Sequence, residues 1–373
     1  MTEEKKNYIP LFTILKRDDL NKNKAMLIRI SSFVLTFLFA MFLCFLVIKS
    51  NYFEIIKTLF TGATIRPWKL IMDSCMLLAF GIAIVPAFKM KYWNMGANGQ
   101  VLVGALASIV LMFYLNTFAA KSSLNNWILI ILMLLASIVA SVIWAVIPAI
   151  FKVLFNTNET LFTLMMNYIA GGLVAYTNYV LAKGKKESPG IINPTTESGW
   201  FPVVIDKYFI PIVVIIILTV IIYFYMTKTK HGYEVIVVGD SINTAKYVGM
   251  NTKKIIIRTL VLSGVICGII GFLYSSAINQ SINKDTVGSL GFTAVLVAWL
   301  SNFNPLIMAF VSFILAFLTI GTSKVSSLYR LGSNNLSSVL IGLIFFSILI
   351  SEFFIRFKIV KHKKKKKEGN DLC

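Results

Sequence analysis

The sequence predicts an all-α, polytopic integral membrane protein: a helical bundle of about ten transmembrane helices with both termini cytoplasmic. Three observations lead there. Of the 373 residues, 57% are hydrophobic and only 14% charged, against roughly 25% charged in an ordinary soluble domain. Mean hydropathy is +0.78, and at about 20 residues per span the apolar content suffices for about ten crossings. Lys and Arg number 36 against 16 Asp and Glu, a formal net charge of +20. On a membrane protein such an excess marks cytoplasmic loops and attraction to anionic lipid. Together these exclude a cytosolic enzyme, a nucleic-acid-binding protein and a disordered chain.

Taken in order, residues 1–29 form a polar, basic segment, too long and too charged for the n-region of a cleaved leader. Apolar runs then place spans at 30–48, 70–88, 98–115, 127–151, 161–181, 208–226, 257–277, 289–301, 304–322 and 338–356, the 289–301 piece being short enough to be re-entrant. Residues 51–69 read as a short interfacial helix. The Pro-, Gly- and Ser-containing stretch 182–207 reads as an ordered extracytoplasmic loop, and 357–373 as a basic cytoplasmic tail. An even count puts both ends on one side. With that side cytoplasmic, the inner segments hold 24 Lys/Arg and the outer ones 12, as the positive-inside rule requires. The two tails supply the margin.

The inventory of reactive groups is thin. His231 and His362 both lie in basic stretches, and Asp73 and Glu352 sit near span ends where water reaches them. No H-E-x-x-H, phosphate loop, paired carboxylates or Ser/His/Asp set can be assembled. Cys44, Cys75, Cys267 and Cys373 show neither a disulfide nor a zinc spacing. No catalytic residue, metal site or cofactor is therefore assigned, and the chain reads as a conduit rather than an enzyme.

Three polar clusters remain. Asn94-Met95-Gly96-Ala97-Asn98-Gly99-Gln100 lies between apolar runs. It is either a polar turn or a broken helix lining a path, since free backbone groups at membrane depth are tolerated only against protein or a water-filled cavity. In the second, Asn158 or Thr157 caps a helix starting near Glu159, whose carboxylate suits the first turn. Asn167, two turns further in, is an interhelical hydrogen-bonding group or a path residue. The third is the basic loop 227–258, with Gly232, Glu234, Gly239, Ala245 and Gly249. There Asp240 or Ser241 caps a short surface helix across 239–250, with glycines supplying positive φ at entry and exit. Gly264 and Gly268, with Gly271 a turn on, form a close-packing row.

These clusters carry a resemblance. Trp93–Gln100, Glu159–Ala170, Thr229–Met250 and, in part, Gly291–Pro305 resemble, in order, motifs of the permease subunits of bacterial ABC importers for nucleosides and simple sugars. That group belongs with the ribose and branched-chain amino-acid permeases. The resemblance covers about residues 70–355 and is strongest to the nucleoside permeases. The chain departs from the pattern at Asn98 and Thr293, where neutral groups replace acidic ones, and at Ser301 and Phe303, where glycine is usual. The resemblance implies a plasma-membrane subunit with no chemistry of its own. Its partners would be a second permease in a heterodimer, a cytoplasmic ATP-binding subunit and an extracytoplasmic substrate-binding lipoprotein. It implies a path near Asn94, Asn98, Gln100, Glu159 and Asn167, and ATPase coupling through Gly232, Glu234, Gly239, Ala245 and Gly249. The rival readings are a simple-sugar or branched-chain amino-acid permease and, from other classes, an ion-coupled carrier or a membrane-bound lipid enzyme.

Overall fold

The computed structural model describes residues 12–16, 22–48, 51–182, 190–330 and 357–361, together with 339, 342, 343, 346, 347, 350, 351 and 353–355. Glu352, His362, Cys373 and most of the basic tail lie outside these residues, as do 183–189 of the expected outer loop and much of the 338–356 span.

Among the described residues the chain is helical, as predicted. In order come α1 (Lys22–Ile48), α2 (Tyr52–Thr64), α3 (Pro67–Lys89), α4 (Ala97–Tyr114), α5 (Asn116–Ala119), α6 (Ser123–Phe155) and α7 (Glu159–Leu181). Then follow α8 (Phe209–Lys228), α9 (Lys230–Asp240), α10 (Ile242–Tyr247), α11 (Thr252–Leu273), α12 (Leu290–Leu300) and α13 (Pro305–Leu328). A π-helical turn, Tyr274–Ile278, extends α11. The first nine expected spans each coincide with a helix. Six helices among the described residues, α3, α4, α6, α8, α11 with its π turn, and α13, are long and apolar enough to cross a membrane. α12 has 11 residues, about 16 Å of helix against a hydrocarbon core of about 30 Å, so it is a half-span.

Two compact units divide the chain: 63–320, and 1–62 with 321–373. The second holds a feature absent from the sequence reading, a two-stranded antiparallel sheet of β1 (Phe12–Lys16) and β2 (Phe357–Lys361), with Ile14 opposite Ile359. Each strand carries two β-branched residues, Thr13 and Ile14 in β1 and Ile359 and Val360 in β2, a composition that suits strands. Their pairing brings residues 12–16 and 357–361 side by side.

The 63–320 unit is organised around α11, which packs against α6, α4 and α3. The glycine row makes this possible. A Cβ at Gly268 would stand 2.6 Å from Ile138 Cα, one at Gly264 2.8 Å from Val142 Cα, and one at Gly271 2.7 Å from the Ala105 nitrogen. Small side chains thus let backbones meet where lipid offers no competing hydrophobic drive. Hydroxyls tie neighbouring helices as well: Ser137 Oγ of α6 donates to the Gly268 carbonyl of α11 at 2.7 Å, and Ser108 Oγ of α4 to the Met133 carbonyl of α6 at 3.0 Å.

Candidate functional site

The Asn94–Gln100 segment is not a turn at the rim of the bundle. Asn94 is fully buried, and its Nδ2 donates to Ser263 Oγ at 3.4 Å. Ser263 lies eleven residues into α11, about 16 Å from its start. The segment between α3 and α4 therefore reaches into the bundle, where exposed backbone groups need protein partners.

The amides supply them. Asn94 Oδ1 accepts from the Gly96 nitrogen (3.0 Å) and from Gln100 Nε2 (3.3 Å). Asn167, on α7, accepts from the Gly99 nitrogen and donates to the Met95 carbonyl, both at 2.8 Å. Asn98 donates to the Gly288 carbonyl (3.1 Å) and accepts from the Gly291 nitrogen (2.8 Å). It thereby anchors the irregular chain that enters the half-span α12. Asn94, Asn98, Gln100 and Asn167 thus come together.

Glu159 does not join them. Its carboxylate pairs with Lys152 at 2.8 Å across the α6–α7 turn, beside the Asn158 cap, whose Oδ1 accepts from the Leu161 nitrogen at 3.2 Å. Nearby, burial and then the charge of Glu159 raise the pKa of Tyr92, whose hydroxyl has no hydrogen-bond partner.

Three participants escaped the sequence reading. Thr163 Oγ1 accepts from the Met95 nitrogen at 3.1 Å. It sits one turn before Asn167 on the same helix face, a spacing visible in the sequence. Ser263 showed no such signal. Trp144 lies against Gly99, whose added Cβ would be 3.2 Å from Trp144 Nε1 and 2.8 Å from Asn167 Oδ1. Trp144 Nε1 and Gln100 Oε1 are buried with no hydrogen-bond partner, so the cluster keeps one donor and one acceptor uncommitted.

The basic loop forms two helices rather than one. Thr229 caps α9, its Oγ1 accepting from the Gly232 nitrogen at 3.2 Å, and Ser241 caps α10, its Oγ accepting from the Thr244 nitrogen at 3.2 Å. Gly249 ends this stretch at φ +82, as expected. Gly239 does not: it has no positive φ, and glycine is needed because a Cβ would run into the Lys89 carbonyl. Gly232 is glycine for a like reason, against the Met226 backbone. Ala245 is fully buried within its own chain. It was expected to be the contact point with another protein, and instead seats α10. The outward surface is made by Tyr233, Ile236, Ile242, Tyr247 and Val248, with Tyr247 94% exposed; Glu234 is partly exposed.

His231 fastens this segment. Thr259 Oγ1 donates to the Ile255 carbonyl at 2.8 Å, so at its 3.4 Å contact with His231 Nε2 the ring nitrogen must donate. Nδ1 then accepts from Tyr225 Oη at 3.0 Å. The neutral imidazole satisfies α8, α9 and α11 at once. Burial, then the Arg258 charge, lower its pKa, with Glu234 opposing.

Apolar spanning helices, interrupted internally by a segment braced with neutral amides, have the build of a membrane permease. Residues 73–349 match the family described as branched-chain amino acid transport system / permease component. The chain belongs to that family, and is a multi-pass transport protein of the cell membrane rather than an enzyme. Among its relatives, the guanosine ABC transporter permease protein NupP of Bacillus subtilis is 27% identical over 296 residues, covering 76% of this chain and 81% of its own length. The nucleoside ABC transporter permease protein NupB of Lactococcus lactis is 23% identical, covering 67% and 70%. The glucose ABC transporter permease protein TsgB13 of Haloferax volcanii is 25% identical, covering 76% of each. No solved structure matches the chain.

Proposed function

We propose that this chain is one of two permease subunits of an ABC importer for nucleosides, forming the translocation path and driven by a separate cytoplasmic ATP-binding subunit. The observation that carries this is the match to permeases named for guanosine and nucleosides over 67–76% of the chain. The uncharged amide cluster agrees with it, because a neutral, hydrogen-bonding solute can exchange water for such groups without shedding charge. Residues 30–356 would be the permease domain, with 1–29 and 357–373 as basic cytoplasmic ends.

Asn94, Asn98 and Asn167 brace the path by holding the broken segment. Gln100 Oε1 and Trp144 Nε1, buried and unpartnered in this conformation, would meet solute once the path opens, and Glu159 fixes the α6–α7 turn. The outward face of α7 carries Tyr168, Tyr176 and Tyr179, with open space at Gly172. Small residues and hydroxyls at membrane depth suit a second helical chain better than lipid, so this face is assigned to the other permease subunit. Gly232, Gly239, Ala245 and Gly249 shape the α9–α10 element. Glu234 and the exposed Tyr233, Ile242 and Tyr247 form its contact with the ATPase. A substrate-binding lipoprotein would deliver solute at the opposite face.

The glucose permease among the relatives favours a second reading, a simple sugar. Uptake of labelled guanosine and adenosine by cells expressing the whole transporter separates the two. Competition by unlabelled nucleosides but not by ribose, glucose or leucine is expected. Competition by a sugar alone would transfer the assignment to sugars.

A further inference from the structure

Away from the amide cluster, a crevice of about 230 Å³ opens where the last turns of α3 and α8 meet the turn between α12 and α13. Its wall is apolar, with Ile82, Val85, Ile222 and Met226. Its rim is polar, with Lys89, Asn302 and Asn304. Lys89 is the final residue of α3 and has no acidic partner among the described residues. Asn304 commits only its Oδ1, which accepts from the Leu306 nitrogen at 3.0 Å. The rim therefore offers a cation and amide donors with no carboxylate to answer them.

The turn that closes the crevice is held in an uncommon shape. Asn302 and Phe303 follow one another in the left-handed region, at φ 48 and φ 60. Asparagine tolerates this locally, but phenylalanine does so at a cost. The result sets the Phe303 side chain into the crevice lining. On either side, the neighbouring helices turn apolar residues outward: Val220 and Phe224 on α8, Leu306 and Phe310 on α13. The mouth thus lies between lipid-facing surfaces, at the level where two helices end and their basic residues begin.

We infer that this crevice binds an anionic phospholipid, its phosphate against Lys89 and the Asn302 and Asn304 amides, and the first carbons of an acyl chain against Ile82, Val85 and Ile222. A volume of about 230 Å³ holds roughly seven or eight groups the size of a water molecule. That fits a phosphate and the start of one chain, not a whole lipid. An unanswered cation beside an apolar wall favours a bilayer lipid over a free anion, which would leave the wall wet. Because α9 packs Gly239 on the carbonyl of Lys89, an occupied crevice would also stiffen the joint between α3 and the α9–α10 element.

The test uses the full chain in detergent, titrated with phosphatidylglycerol, phosphatidylcholine or inorganic phosphate, and read by native mass spectrometry and thermal unfolding. Wild type should retain phosphatidylglycerol and be stabilised by it more than by phosphatidylcholine, with no response to phosphate. Lys89→Gln should weaken phosphatidylglycerol binding about fivefold, and Lys89→Arg should keep it. Thr227→Trp, at an exposed lining position, should block the crevice with Lys89 intact, and it serves if Lys89→Gln does not fold. Undiminished phosphatidylglycerol binding in Lys89→Gln or in folded Thr227→Trp would overturn the inference. So would equal stabilisation by phosphatidylcholine or by inorganic phosphate.

Discussion

The Asn94–Gln100 segment and the α9–α10 element both interrupt the run of spanning helices, yet they are finished in opposite ways. The first is turned inward. Apart from Gln100 Oε1, its amides are spent on its own chain, Asn98 bridging two backbone groups as Asn167 of α7 does. The second is turned outward. Its helix starts are satisfied by caps at Thr229 and Ser241, Gly232, Gly239 and Ala245 press on its own chain, and an aromatic and aliphatic surface around Tyr247 is left bare. A break that spends its polar groups internally braces the bundle. One that leaves side chains uncovered is available to another protein.

Four substitutions probe this difference, ordered by expected effect on the stability of the isolated chain. Gly239→Val should be the most damaging, because its Cβ meets the Lys89 carbonyl. Overpacking against backbone costs about 3 kcal/mol. The yield of monodisperse protein should collapse, and wild-type yield would mean that α9 can lift away freely. Asn167→Leu should follow, at about 2 kcal/mol, because it strands the Gly99 nitrogen and the Met95 carbonyl. A lowered unfolding temperature is the expected reading. Unchanged stability with lost uptake would instead make Asn167 a path residue.

The third probe is pH. The neutral form of His231 is favoured in the folded chain, so the unfolded chain binds the extra proton first. Stability should therefore fall as pH drops below the ordinary histidine value of 6.5 toward the lower folded value. Wild type should lose more stability than His231→Gln between pH 7.5 and 5.5, with Arg258 and Glu234 unchanged in both. Parallel losses would remove His231 from the account. Tyr247→Ala should be nearly silent, within about 0.5 kcal/mol, yet should reduce co-purification of the ATPase. A stable variant with normal co-purification would break the outward half of the comparison.

Much of this was legible beforehand. The helix positions followed from apolar runs, and Asn158 as a cap and Gly249 as a helix terminator followed from residue chemistry. The close-packing role of Gly264 and Gly268 followed from their spacing. The partners of the polar residues were not legible. Asn98 is paired with residues about 190 positions away, and nothing local marks such a pairing. The same limit hid Ser263 and Trp144. It also led to a conformational role for Gly239, where the reason is the approach of α3. The β1–β2 pair was missed for another reason: a five-residue run with two β-branched residues in a basic end segment is weak evidence until a second strand is seen opposite it.

The sequence by itself determined that the chain lies in a membrane and where its first nine apolar helices run. These depend on composition and on interactions within a few residues: apolar length, caps and turn glycines. Only the tertiary structure decided which way each interruption faces. Depth in the bundle is set by packing between distant helices, and the same asparagine or glycine serves a rim turn, an internal brace or a docking element according to what that packing brings within reach.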